Sequence, residues 1–396
     1  MMATATGLLD DLAGIGRDLT GGGYHRLAWE RPTLELREWF AAEAGRRGLD
    51  VTEDGNGNQL AWWGSGDDAL LIGSHLDSVR GGGAFDGPLG VASSLAAVDT
   101  LRDAGFTPSR PIVVANFTDE EGARFGVACV GSRLATGVLA PERALSLRDD
   151  DGTTLAEAMR AGGADPAAVG PADWLASIGA FVELHVEQGR ALIDSGDAVG
   201  VASAIWPHGR YRLDLHGQGN HAGTTAMTDR HDPMLTYAAA VLASAAAASE
   251  TARRATFGRV RVAPGSTNSI PVQVTAWLDA RAESEEALAG LVDRILSDTR
   301  RAAAGHGTRA ELTEESVTSA VTFDPGLRDR LATLLGAPQL PTGAGHDAGI
   351  LASRVPTAML FVRNPSGISH APEEYAEPAD CEAGVAALAE VIRELA

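Results

Sequence analysis

Histidines and carboxylates gather in a few short motifs of this chain. They are Ser74-His75-Leu76-Asp77-Ser78, Gly82-Gly83-Ala84-Phe85-Asp86-Gly87, Thr118-Asp119-Glu120-Glu121-Gly122, Glu183-Leu184-His185-Val186-Glu187-Gln188-Gly189 and Gly367-Ile368-Ser369-His370-Ala371-Pro372. Each ends an apolar run or lies in a turn, where an α/β sheet presents functional groups. Imidazole nitrogens and carboxylate oxygens ligate divalent metals, and a spare carboxylate can move protons beside them. The set points to metal-assisted hydrolysis.

Each motif also has a plainer reading. His75 and Asp77 are two residues apart, so on an extended strand end they face the same way. Asp77 could then accept the imidazole N–H not used for ligation and fix the tautomer; a surface His beside a surface Asp would look the same. Asp86 follows a run of glycines, whose permissive backbone can set a carboxylate abruptly into a cleft. Turns also carry Asp for their own sake. Glu120 and Glu121 end an apolar run beside Asp119. Adjacent carboxylates repel unless a cation neutralises them, and one can ligate while its neighbour acts as base. A solvated acidic loop is the alternative. His185 fits a hydrogen-bonded core histidine, although Glu183, Glu187 and Gln188 make that reading less comfortable. His370 stands in a loop, where ligands are common and ordinary histidines are too.

The elements that must position these residues follow from the apolar pattern. Thr33 opens a helix to about Gly48, with Gly45 and Gly48 marking its end. Asn58–Trp63 and Ala69–Gly73 read as strands, the second delivering His75 and Asp77. A helix runs from Pro88 to about Ala104, with Pro at its first position. Pro111–Phe117 is a buried strand delivering Glu120 and Glu121, and Ala180–Val186 another, delivering His185. Strands alternating with helices predict an α/β fold, a mostly parallel sheet with helices on both faces. Near Gly209 the pattern becomes alternating: Arg210–His216, Phe257–Ala263, Val272–Ala280 and Thr308–Val317 read as half-exposed strands. Helices from Asp232 to Ser249 and from a Ser284 cap to Ala304 complete a β-α-β-β-α-β order, ferredoxin-like. This α+β domain is expected at 209–322, inserted into a discontinuous domain of 1–208 and 323–396. Beyond Pro325 come a helix to Leu335, a Gly-rich turn Thr342–Gly349, a strand Thr357–Val362 and a last helix from Ala379. The site would thus be completed by chain from both sides of the insertion.

Composition narrows the function further. A net charge of −21 over 396 residues, with every basic residue other than histidine an Arg, argues against nucleic-acid binding. Cys129 and Cys381 form no C-x-x-C pair and read as buried thiols of a reducing compartment. The segment Met1–Leu19 lacks a basic region followed by an apolar one, and no apolar run is long enough to span a bilayer. A cytoplasmic protein is expected. No G-x-S-x-G elbow occurs, which disfavours a serine hydrolase, and no G-x-x-x-x-G-K-[ST] loop, which disfavours nucleotide use.

The ordered set resembles the M20 superfamily of dinuclear metal amidohydrolases. More narrowly, it resembles the hydantoinase/carbamoylase branch: N-carbamoyl-L-amino-acid hydrolases, allantoate amidohydrolases and β-ureidopropionases. The match adds Arg124-Phe125-Gly126, Gly131-Ser132-Arg133, Asn220-His221-Ala222-Gly223-Thr224-Thr225-Ala226-Met227 and Gly345-His346-Asp347-Ala348 to the motifs above and covers nearly the whole chain. The resemblance implies that Asp86 bridges two metals, that His75 and His185 complete one site, and that Glu121 and His370 complete the other. Glu120 would be the general base and Asp77 the orienter of His75. The ions would be zinc, with manganese, cobalt or nickel as alternatives. The smaller domain would be a lid and a homodimerisation surface, with His221 polarising the scissile carbonyl, reaching across the dimer in the superfamily pattern. Gln188, Asn268 and Arg281 would bind a small carboxylate-bearing substrate, Arg281 as a bidentate clamp. The implied reaction is cleavage of a carbamoyl (ureido) C–N bond by a metal-held hydroxide. Alternatives are an allantoate amidohydrolase, an M20-type peptidase or aminoacylase, and a non-catalytic scaffold that keeps the fold. Two departures bear on the substrate: Ala226 stands where the branch usually has Pro, and Val272 where Gly commonly follows Pro271.

Overall fold

The computed structural model describes residues 4–396. The chain divides into two compact units, Met1–Ala204 with Thr322–Ala396, and Ile205–Val321. Residues 1–3, at the head of the first expected domain, lie outside the described residues.

The first unit is built on four parallel strands in the spatial order Ile112–Phe117, Ala69–His75, Ile178–Val186, Thr357–Val362. Three of them are buried at every residue, and Ile178–Val186 is buried at all but Gly179. Apolar runs with no polar alternation need cover on both faces. Helix Pro88–Asp103 is itself mostly buried, helix Pro378–Leu395 is buried along half its residues, and both share one apolar core with these strands. Antiparallel strands extend the sheet: Gln59–Trp63 and then Asp50–Glu53 on one side, Val199–Ile205 on the other.

Helix Ala5–Leu12 and strands Val199–Ile205 and Gln339–Thr342 add to the expected elements. The first long helix is Arg31–Arg46, not 33–48, because Pro32 sits inside its first turn, where a missing N–H is harmless. Thr33 therefore lies within the first turn, its one hydroxyl proton shared between Leu27 O at 2.9 Å and Glu30 O at 2.8 Å. Strand Asp50–Glu53 escaped the reading because every residue in it is exposed and carries no apolar pattern. Part of the expected turn at 342–349 is helical, at Asp347–Leu351.

In the second unit the elements follow one another as His208–His216, helix Pro233–Glu250, Arg254–Ala263, Gln273–Arg281, helix Glu285–Gly305 and Arg309–Thr318. The long strands form an antiparallel sheet with Arg309–Thr318 and Arg254–Ala263 at its edges. Alternation decides which face is covered. Tyr211, Leu213, Leu215, Val274, Ala276, Leu278 and Ala280 are buried; Tyr211, Leu278 and Ala280 pack with Leu288, Leu291 and Ile295 of the second helix, and Leu213, Leu215 and Val274 with Ala240 of the first. Both helices start at side-chain caps: Asp232 accepts from Met234 N–H and Ser284 from Ala287 N–H. Among the described residues no helix is long and apolar enough to cross a membrane. Cys129 and Cys381 are buried and unbridged.

Candidate metal centre

Three neighbouring parallel strands end at the same edge of the sheet and bring the motifs together. His75 is the last residue of its strand, Thr118–Glu121 follows Phe117, and His185 is the penultimate residue of Ile178–Val186. That edge is where open α/β sheets hold ligands. Asp86 reaches it from the glycine turn. Gly87 there has φ +82°, and a Cβ on it would lie 2.4 Å from the His75 ring, so only glycine lets the turn close on the imidazole.

Two donor sets share Asp86. Ligand atoms of His75, Asp86 and His185 lie within 4.8 Å of one another, and so do those of Asp86, Glu121 and His370. His185 Nε2 is 3.1 Å and His75 Nε2 3.7 Å from Asp86 Oδ1. On the other side, His370 Nε2 is 3.3 Å from Asp86 Oδ2 and 3.5 Å from Glu121 Oε2. Both buried imidazoles use Nδ1 elsewhere: His185 Nδ1 donates to Val186 O at 2.8 Å, and His75 Nδ1 lies 3.2 Å from Asp77 O and 3.4 Å from its Oδ1. Such partners fix the tautomer that offers Nε2 as a ligand. Nε2 of His75 and of His185, and Oε1 of Glu121, are buried without a hydrogen-bond partner. Two unpartnered imidazole nitrogens that both face Asp86 Oδ1 fit a divalent cation.

The electrostatics agree. Burial, with further push from neighbouring carboxylates, raises Glu120 and Asp119 well above their ordinary values and Glu121 to about 7. Against the opposing effect of burial, His185, His370 and His75 hold Asp86 well below the usual carboxylate range. His370 is raised to about 9, first by its hydrogen bond to Asp86. So many buried carboxylates beside one another call for positive charge.

Glu120 stands apart from the donor sets but beside them. Its Oε2 is 3.7 Å from His75 Nε2, and its Oε1 accepts from Cys129 Sγ at 3.3 Å. Asp77 does more than face His75: its carboxylate also accepts from Glu120 N–H at 3.2 Å and Glu121 N–H at 3.0 Å, fixing the acidic turn. Gln188 Nε2 donates to Asp86 Oδ2 at 2.8 Å and to Ser369 Oγ at 3.2 Å.

The remaining sequence-derived residues lie in the second unit. Strand pair Asn220–His221 and Ser269–Ile270 sets His221 opposite Ser269, and Ala222 N–H donates to Asn268 O at 2.9 Å. His221 and Asn268 are thus neighbours, and both are exposed. Arg281 ends its strand with Nε 2.8 Å from Asp279 Oδ1 and Nη2 3.3 Å from Oδ2. It and Asp279 are two apart on one strand, so their side chains share a face.

Several residues without an assigned role also line the centre. The His346 ring lies 4.5 Å from that of His185, and burial lowers its affinity for a proton. Asp347, raised to about 8 by burial, forms a close hydrogen bond with Ser132. Glu183 is fully buried and ties Ser74 Oγ to Ala348 N–H, both at 2.8 Å. Motif membership was the only sequence signal for these, since their partners lie far along the chain.

A parallel sheet that delivers imidazoles and carboxylates into two adjoining donor sets defines a metallohydrolase scaffold. The chain belongs to the peptidase family M20/M25/M40, which matches it over residues 71–394. Within that family it falls in the hydantoinase/carbamoylase branch of hydrolases. It is 36% identical to the N-carbamoyl-L-amino acid amidohydrolase of Geobacillus stearothermophilus, over 98% of this chain and 97% of that one. It is 31% identical to the allantoate amidohydrolase of Bacillus subtilis, over 95% and 93%. A crystal structure of an amidase of the hydantoinase/carbamoylase family from Burkholderia multivorans superposes with a TM-score of 0.87 at 32% identity, covering 100% of this chain and 98% of that one.

Proposed function

We propose that this protein hydrolyses the carbamoyl C–N bond of an N-carbamoyl-L-amino acid or a related ureido acid. The observation that carries the reaction class is Asp86, one carboxylate shared by two donor sets with Glu120 beside them. The relatives' activities carry the substrate class. His75, Asp86 and His185 would hold one divalent ion, zinc first among the candidates, and Asp86, Glu121 and His370 a second. Such ions polarise a carbonyl and acidify water.

The protein's own groups divide the remaining work. Glu120 takes the proton from the attacking water and passes it to the leaving nitrogen, a role suited to a buried carboxylate whose proton affinity is raised. Asp77 keeps both His75 and the Glu120 backbone in place. His221 supports the developing oxyanion. Gln188, Asn268 and Arg281 hold the substrate, with the planar Arg281 guanidinium gripping its carboxylate. Domain 209–322 serves as lid and as the surface for a homodimer.

The test is a substrate panel on metal-reconstituted protein: N-carbamoyl-L-amino acids, allantoate and β-ureido acids against N-acyl amino acids and dipeptides. Ammonia release from the ureido acids is expected. Free amino acid from acylated or peptide substrates without ammonia would instead assign an aminoacylase or peptidase of the same family.

A further inference from the structure

Glu374 is a carboxylate for which the proposed reaction has no use, yet it is buried to 4% exposure beside the centre. Its Oε1 accepts two backbone N–H groups, from Phe85 at 3.0 Å and from Asp86 at 2.8 Å. Its Oε2 accepts from Ser369 Oγ at 3.0 Å, next in sequence to His370. Ser369 Oγ also stands 3.0 Å from Asp86 Oδ2. A hydroxyl has one proton, so it serves one of these carboxylates at a time. When Asp86 turns its oxygen to a cation, Glu374 is the acceptor that remains.

Two further observations show the fold making room for this contact. A Cβ on Gly83 would lie 2.4 Å from Glu374 Cβ and Oε1, and Gly83 has no left-handed backbone that would otherwise demand glycine. The glycine is there for the approach of the glutamate. Alongside, the Phe85 and Tyr375 rings meet edge to face at 5.7 Å, zipping the same two segments together.

We infer that Glu374 is a positioning residue that locks the Asp86 turn to the His370 loop, and so sets the shared carboxylate between the two donor sets. It rests on the reading of Asp86 and His370 as metal ligands. Glu374 holds the Asp86 turn through two backbone N–H groups, and its contact with Ser369 survives with the roles reversed when an amide N–H donates to Oγ. An amide whose carbonyl accepts the same bonds should therefore substitute for the carboxylate, whereas an apolar side chain of similar size should not.

The experiment is a titration of metal-stripped full-length protein with cobalt(II), read by calorimetry and by the visible absorption of the bound ion. Partners that orient ligands are typically worth about 10–100-fold in metal affinity. Glu374→Met is expected to lose that much and to alter the cobalt spectrum, while Glu374→Gln stays close to wild type. Gly83→Ala, which pushes the same contact from the other side, should behave like Glu374→Met and carries the test should that variant not fold. Wild-type affinity and spectrum in Gly83→Ala, and in Glu374→Met where it folds, would overturn the inference. His370→Ala separates this from the underlying assignment. If it too binds cobalt as wild type does, the metal-site reading fails; if it loses metal while the other variants do not, only the role of Glu374 fails.

Discussion

Glu120 is enclosed on every side that matters to a base. Burial and its carboxylate neighbours raise its proton affinity, His75 stands 3.7 Å away, and the Cys129 thiol holds its other oxygen. It belongs to neither donor set. Removing its charge should therefore leave the metals in place. We predict that Glu120→Gln binds metal as wild type does and loses about 10²–10⁴-fold in kcat, the usual worth of a general base. Metal content and kcat measured on one preparation decide this; near wild-type turnover at full metal content would refute the role. The residues around Glu120 were unequally legible. His75 with Asp77, and Glu120 with Glu121, are close in sequence, so spacing alone suggests shared work. Glu374 could not be found that way, since it meets Asp86 across 288 positions. The sequence marks Cys129 only as a buried thiol; its contact with Glu120 depends on a turn that only the fold defines.

Elements were legible where burial imposes a pattern. The strand Thr357–Val362 is buried at every residue, and its apolar run marks its ends. The alternation in Gln273–Arg281 likewise announces a sheet covered on one face. Asp50–Glu53 has no such imprint, because an edge strand exposed at each residue is held by backbone pairing to Gln59–Trp63. Caps are the other readable signal. Asp232 accepts from Met234 N–H at 2.9 Å and starts the helix Pro233–Glu250, whose alanine-rich sequence has little amphipathic pattern of its own. Asp232→Ala should weaken that helix by about 1 kcal/mol. Amide hydrogen exchange is the measurement, with helix Glu285–Gly305 of the same molecule as the internal reference. Protection should fall in the first helix and hold in the second; unchanged protection in both would deny the cap its role.

At the scale of the whole molecule, the donor sets draw on chain from both ends of the first unit. His221, Asn268 and Arg281 belong to the second. The switch from continuous to alternating apolar runs marks the change of sheet type in the sequence. The helix Pro233–Glu250 exposes Leu242 at 72%, with Met234 and Leu235 also open to solvent, a face suited to a two-fold contact. We predict a homodimer in which His221 of one protomer completes the site of its partner. Mixing inactive His221→Ala with inactive Glu120→Gln and allowing exchange tests this. A mixed dimer would then hold one site with both defects and one with neither, so activity returns. Absence of recovery despite verified heterodimers would exclude the shared site and leave closure within one chain.

Asp86, shared by the two donor sets, would join two divalent ions into one ureido-hydrolysing centre. Metal stoichiometry and ammonia release, measured together as metal is returned to stripped protein with an N-carbamoyl-L-amino acid present, address it most directly. Ammonia release should rise with metal and reach its plateau at two ions per chain, and Asp86→Ala should abolish both. Full ammonia release from metal-free protein, or an Asp86→Ala variant that still binds two ions and turns over, would contradict it.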